Sequence, residues 1–425
     1  MRKLGGGSVV NTLSSEVFSV LQLCAITEPL FPNIRTLDLQ PTEESIPSIP
    51  LFLSPRTTTI RILFPSLDLP KVMLASMIAS LPALCPDLQD IDLCILPDDP
   101  MVTAAASAML LTSNRNTLRS FCVDSPLTEE ARGVVYALPD LRTLRAIVMR
   151  DTTLPPVVLP NLVDLTITYE HDDDCLRLFR GATLGPLETV AFHPVSDQIG
   201  DFLEAFERVA LAASVQNTLS SFHLSAPCSW NPNYSSLHSF TQMTYLTIEF
   251  SCAGGCFSTV DDGVITGLAR TMPKLETLQL GRDPCKEIPT GVTAKGLVTL
   301  AHYCLDLHTL RIHFQVASLA ALPAISGVTP NTRLTAPRRG CALENLEVGE
   351  IPLPEESVLM VSLTLAHIFP HIQDIKSGDG KWDKVVDAIY FSKEFVDYSS
   401  EGHPLSTPRS NFIDTSPGAA LEDGS

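Results

Sequence analysis

Three groups of residues in this chain of 425 have the make-up of a reactive or metal-binding site. His171-Asp172-Asp173-Asp174 offers carboxylate oxygens of the kind a hard cation takes, but the alternating spacing and distal Glu of a calcium loop are missing. It reads as a solvated loop that opens a helix. His367 and His371 stand four residues apart, yet Pro370 lies between them and His371 leads into a strand, so they mark a helix end. Cys252 and Cys256 flank Ala253-Gly254-Gly255 with no second pair nearby, which leaves a zinc ion short of ligands. The phosphate-cradling Gly-x-x-x-x-Gly-Lys, the Gly-x-Ser-x-Gly elbow and His-Glu-x-x-His do not occur. The expectation is a non-enzyme with no catalytic residue, no cofactor and no metal, whose work is binding.

Residues that bind must then be found by placement, and a recurring phrase supplies it. Leu-x-x-Leu-x-Leu, usually preceded by Pro, Asn or Cys, begins at Pro32-Asn33-Ile34-Arg35-Thr36-Leu37-Asp38-Leu39. Its first apolar position falls at Ile34, Thr57, Leu88, Leu118, Leu141, Leu162, Leu187, Leu219, Met243, Leu275, Leu307, Leu343 and Ile372. The steps run from 21 residues (Leu141 to Leu162) to 36 (Leu307 to Leu343) and average about 28, inside the leucine-rich-repeat window of roughly 20 to 29. A chain that is 45% hydrophobic scatters leucines by chance, but chance does not hold a register. Here the third and fifth following residues stay apolar, as in Leu37/Leu39, Ile91/Leu93, Phe121/Val123, Phe222/Leu224 and Leu310/Ile312, and only Ile375/Ser377 breaks the rule. Alternation of this kind is a strand with one buried face.

The other face is where the second, fourth and sixth following residues point. It carries Asp38, Arg61, Asp90, Asp92, Asp124, Arg145, Asp164, His193, His223, Tyr245, Glu249, Arg311, His313 and Glu347, with acid predominating toward the N-terminal half. These are the candidate partner-binding residues. The expected partner is a protein with a basic surface, and Tyr245 and the arginines are the candidate anchors.

Segments with helical spacing separate the strands. Lys71 to Leu84 follows Pro70, Thr128-Glu129-Glu130 opens a run to Leu138, Ser196-Asp197 one to Ala213 and Asp261-Asp262 one to Met272. These are N-cap and first-turn acid patterns. One strand and one helix per unit predict an α/β leucine-rich-repeat solenoid, a horseshoe of about 13 irregular repeats with a parallel β-sheet on the concave face and helices on the convex face. The expected organisation is an N-terminal flanking helix over residues 1–30, the solenoid over 31–377, a capping helix over 378–398 and a disordered tail over 399–425. Trp382, Val385, Val386, Ile389 and Tyr390 share a face of that cap. In the tail, Thr407-Pro408 and Ser416-Pro417 suit a proline-directed kinase.

The stretch Gly291-Val292-Thr293-Ala294-Lys295-Gly296-Leu297-Val298-Thr299-Leu300-Ala301-His302-Tyr303-Cys304-Leu305-Asp306-Leu307-His308-Thr309-Leu310 resembles the cysteine-containing repeat of F-box proteins, with Cys-Leu in place of Cys-Pro. Together with the irregular repeat lengths and the acidic tail it is similar to the fungal F-box/leucine-rich-repeat family. The resemblance implies the substrate-recognition region of a ubiquitin-ligase receptor. An F-box, a helical module that docks a Skp1-type adaptor, does not fit in the residues before Ile34, and Leu353-Pro354-Glu355-Glu356-Ser357-Val358-Leu359 imitates its opening inside the array, where it reads as a repeat helix. A Skp1-type adaptor is therefore expected as a partner only if an F-box lies upstream of this chain. A free-standing leucine-rich-repeat scaffold or inhibitor is the alternative.

Charge and cysteine usage narrow the setting. A net charge of −19 argues against nucleic acid and anionic membrane as partners, since both require clustered Lys and Arg. No stretch reaches the length of a membrane-spanning helix. The 11 scattered cysteines read as reduced and packed, with Cys85, Cys304 and Cys341 just before strands, which points to the cytoplasm or nucleus.

Overall fold

Every copy of the phrase forms a strand, and the strands join in chain order. The structure is a computed structural model that describes residues 29–40, 45–63, 71–94, 117–126, 129–148, 157–180, 182–196, 199–227, 230–251, 260–281, 291–325, 340–349 and 351–400, together with Val20. Most of the expected N-terminal cap, the Cys252/Cys256 pair and the tail from 401 on, with Thr407 and Ser416, lie outside these residues. The main sheet consists of β1 (Thr36–Leu39), β2 (Thr59–Leu63), β3 (Asp90–Cys94), β4 (Ser120–Pro126), β5 (Thr143–Val148), β7 (Asp164–Tyr169), β9 (Thr189–Pro194), β10 (Ser221–Pro227), β11 (Tyr245–Ser251), β12 (Thr277–Leu280), β13 (Thr309–Ile312), β14 (Asn345–Gly349) and β15 (Asp374–Ser377). It has 13 strands and is open, with β1 at one edge and β15 at the other. All of its neighbours run parallel.

Register is kept across the whole array. Thr36 faces Thr59, Thr59 faces Asp90, and the same position continues through Ser120, Thr143, Asp164, Thr189, Ser221, Tyr245, Thr277, Thr309 and Asn345 to Asp374. A slip by one residue would turn a strand's apolar set to water, so burial fixes the pairing. Local shifts occur only past Cys122 on β4 and past Glu347 on β14. All thirteen first positions are buried, Thr57 included, whose hydroxyl lies 3.4 Å from the Ile34 carbonyl and 3.1 Å from the Ser54 N–H. At the last strand Ile375 is buried and Ser377 is not, as the broken copy predicts.

Helices cover the buried face: α1 (Lys71–Leu84), α2 (Glu129–Val135), α3 (Asp172–Arg177), α4 (Phe202–Ala212), α5 (Asp262–Thr271), α6 (Ala294–Tyr303), α7 (Val316–Ile325), α8 (Val358–Ile368) and α9 (Lys381–Ser400). Not every described connection is the helix expected in each unit. Between β1 and β2 the link is a 3-10 turn, Ile46–Phe52, where Pro47 and Pro50 have no N–H to give. A second 3-10 turn, Tyr234–Leu237, links β10 to β11. In the shortest unit the described end of the return path is extended: β6 (Val158–Leu159) pairs in parallel with β8 (Thr183–Leu184) as a small second sheet. Gly185 permits this close approach, because a Cβ there would sit 2.5 Å from the Pro160 carbonyl oxygen.

Neighbouring units are stitched by short polar ties as well as by core. Asp261 caps α5 by accepting the Val264 N–H at 2.9 Å. Asp262 accepts the N–H groups of Thr293 (2.8 Å) and Gly296 (3.1 Å) and the Thr293 hydroxyl (2.6 Å), which joins the start of α5 to the start of α6. The Cys304 thiol donates toward the Ala269 and Met272 carbonyls at the end of α5, and Cys341 donates to the Cys304 carbonyl at 3.3 Å. Burial pushes Cys304 up to about 12 and Cys85 and Cys341 up to about 11, so these thiols stay protonated. The start of α4 is later than Ser196-Asp197 suggests. Gly200 is held from both sides, its N–H by Asp172 Oδ2 at 2.9 Å and its carbonyl by the Trp230 indole N–H at 2.9 Å, and the helix begins beyond it.

The terminal cap helix forms, at Lys381–Ser400 rather than over 378–398. Trp382, Val385 and Ile389 are buried, and the Trp382 indole donates to the Ile351 carbonyl at 3.0 Å while its ring meets Phe314 edge-on. Tyr390 departs from the expected buried face. It is exposed, with its hydroxyl donating to the Gln373 carbonyl at 2.9 Å.

Aromatic rings cluster mid-array, where Phe192 of β9 contacts Tyr169, Phe179, Phe202, Phe206 and Phe222. Phe206 is fully buried and also stacks on Phe240 at 5.6 Å, bridging three units. Replacing Phe206 by Ala removes contacts on both sides of the stack and is expected to cost about 3–5 kcal/mol, read as a lower urea midpoint. A Phe206→Leu change should lose well under half as much.

Candidate protein-interaction face

The sheet face turned away from the helices is formed by side chains two, four and six residues past each first apolar position, because alternate residues of a strand point to opposite faces. All the binding candidates read from the sequence fall on this face or at its C-terminal edge, from Asp38 on β1 to Glu347 on β14. None is fully buried. His313 lies one residue past β13, half-buried, beside Gly281, whose positive φ of 104° turns the chain there.

The arginines engage acids of the same face. Arg61 Nε lies 2.9 Å from Asp92 Oδ2, and these two residues are direct neighbours on β2 and β3. Arg311 and Glu347, 3.3 Å apart, repeat the arrangement on β13 and β14. Arg145 of β5 reaches Asp124 of β4 at 2.8 Å. Parallel pairing in constant register makes such ladders possible, since it sets equivalent side chains of adjacent strands side by side. Each pair is partly solvated and contributes no more than about 1 kcal/mol. The Thr59 hydroxyl donates to Asp90 at 2.9 Å.

Asp38, Asp90 and Asp164 remain outside the three ion pairs. Burial holds the Asp164 carboxyl above the usual carboxylate range. Tyr245 is exposed, with its hydroxyl donating to Glu276 at 2.9 Å, and that carboxylate pushes the phenol up. Burial and then the neighbouring Arg311 push His313 down, which favours a neutral ring. At mid-face, His193 and His223 of β9 and β10 stand with ring centroids 5.2 Å apart.

Several members of the face were not singled out from the sequence. Ser225 lies within 3.2 Å of both His193 and His223. Cys94 and Cys122 are half-buried beside Asp92 and Asp124, and burial pushes both thiols up to about 11. The register places all three at positions four or six of their copies, so position alone would have found them; their modest side chains gave no other signal.

The acidic run at 171–174 opens α3 as it reads, with His171 and Asp173 exposed, but it is not solvated throughout. Asp174 is buried in α3 with Oδ1 3.5 Å from Arg177, and Asp172 receives the Gly200 N–H. These acids line a recess of about 480 Å³ with Asp201 and Phe202. Among the described residues no group of three metal-ligating side chains comes together, and no helix is long and apolar enough to cross a membrane. His367 sits in the last turn of α8, the helix end read from its sequence. No known protein family matches the chain, and no curated protein is similar to it in sequence.

The raised carboxyl of Asp164 yields a test with a defined sign. Its pKa in the folded state exceeds the unfolded value of about 3.9, so the charged form opposes folding at neutral pH and the opposition fades as pH falls through the folded value. Asp164→Asn is expected to raise the melting temperature at about pH 7, with the gain vanishing near about pH 4. Equal gains at both pH values, or a loss at neutral pH, would contradict the assignment.

Proposed function

We propose that the protein is a leucine-rich-repeat horseshoe that works as a free-standing, non-catalytic scaffold, binding a protein partner on the concave side of its sheet. The observation that carries this is the broad, open face of 13 parallel strands, on which the residue two past each first apolar position is polar or Tyr in every strand, backed by a continuous buried core. The partner segment is basic. Arg61, Arg145 and Arg311 are already matched by acids, and Asp38, Asp90 and Asp164 lie outside those pairs, so the N-terminal half of the face keeps an excess of acid. Complementary charge of this kind sets partner choice and association rate more than total affinity.

A narrower reading, the substrate-recognition region of an F-box-type ubiquitin-ligase receptor, rests on the likeness of residues 291–310 to a repeat of that family, with the irregular repeat lengths and the acidic tail. Its cysteine is accounted for by packing, since Cys304 is buried and serves the carbonyls at the end of α5. Stable association of the protein with a purified Skp1-type adaptor would move the reading there.

The scaffold reading is tested with a labelled oligolysine peptide and the full chain. Binding is expected at low salt, weakening as the ionic strength rises, with amide-exchange protection on β1 to β7. The triple change Asp38→Asn, Asp90→Asn, Asp164→Asn should weaken it by about tenfold or more without lowering thermal stability. Peptide binding that is unaffected by this variant would sink the assignment of the face.

A further inference from the structure

At the middle of the face one hydroxyl serves two imidazoles. His193 Nδ1 on β9 and His223 Nε2 on β10 each lie 3.2 Å from Ser225 Oγ. A hydroxyl has a single proton to donate, so with both rings neutral it can donate to at most one imidazole and must accept from the N–H of any other ring it bonds; the arrangement that uses its proton inside the bridge donates to one ring and accepts from the other. Adding a proton to the accepting ring turns both nitrogens into donors toward one oxygen and forces the serine hydrogen to swing away. A second proton would place two cations with ring centroids 5.2 Å apart, in surroundings that already disfavour charge on His193 through burial. The bridge therefore has two accessible states, with no proton added or with one.

The surroundings decide what that proton does. On one side β7 presents Thr168 directly opposite His193, with no charge. Beyond it Arg145 of β5 acts against a proton on His193 and Asp124 of β4 acts for one, and these two are tied to each other. On the other side Glu249 of β11, the direct neighbour of Ser225, favours the proton. An added positive charge on His193 thus interacts with Glu249 and offsets part of that carboxylate's negative charge.

We propose that the His193–Ser225–His223 bridge is a one-proton switch that loosens the grip of the face on a basic partner as pH falls below neutral. The inference rests on the partner class given under the proposed function.

Two measurements on the full chain test it. Histidine ring resonances are followed against pH in the parent and in His223→Gln, with circular dichroism as the check on folding. Removal of the neighbouring ring should raise the His193 midpoint, and an unchanged midpoint overturns the shared-proton bridge. Binding of the oligolysine peptide is then compared at about pH 7.5 and about pH 5.5. Asp164 also takes up protons on acidification, so the quantity read is the difference between the parent and His193→Gln/His223→Gln. The parent should lose roughly three- to tenfold more affinity than the double variant. If the peptide binds and both proteins respond alike to pH, the switch is refuted while the binding face stands. If no peptide binds at either pH, the reading of the face falls and the switch falls with it, whatever the resonances show.

Discussion

An open parallel sheet can accept strand after strand only if each unit brings its apolar side chains to the same positions, because burial on one face leaves no freedom to shift by one residue. That constraint runs through this molecule from Thr36 to Asp374. It aligns Leu37, Ile60, Ile91, Phe121, Leu144 and their successors into one continuous row beneath the helices. Each unit stabilises its neighbours more than itself, which is why loops, 3-10 turns and an extended pair can replace helices on the far side without disturbing the sheet. The connections vary and the strands do not.

The same constraint organises the polar face. Because equivalent positions on adjacent strands are side by side, Arg61 meets Asp92 and Arg311 meets Glu347 without any other design. Those pairs add little stability, but they tie up Arg61, Arg145 and Arg311 and leave Asp38, Asp90 and Asp164 outside them. The Asp262 clamp, the Trp230 contact and the Cys304 and Cys341 thiols belong to the other side, where they serve backbone groups at helix ends. A helix end buried without such partners would be costly, so these few polar residues are as much a part of the core as the leucines.

Much of the architecture was legible in the repeated phrase. All thirteen strands fall where it recurs, including the copy headed by Thr57 and the irregular last one ending in Ser377. Capping residues were legible too when they act within their own segment, as Asp261 does for α5. The misreadings have two causes. The beginning of α4 and the exposure of Tyr390 depend on residues from other units, Trp230 and Asp172 around Gly200 and Gln373 beside Tyr390, while Asp174 is buried by the rotation of its own short helix. The missing helices are similar, since Ile46–Phe52 contains prolines whose effect on the unit could be read, while the pairing of β6 with β8 joins segments from two different units.

What the sequence by itself determined is the periodic part of this protein: strand positions, their buried and open faces, and which residues share the candidate interaction face. Periodicity suffices there because alternation is a local property of an extended chain. Tertiary structure alone decided how the side chains of that face use one another. The ion pairs and the link from His193 to the hydroxyl it shares with His223 depend on strand neighbours 21 to 36 residues apart in the chain, distances at which no pattern in the sequence says which side chain will bend toward which.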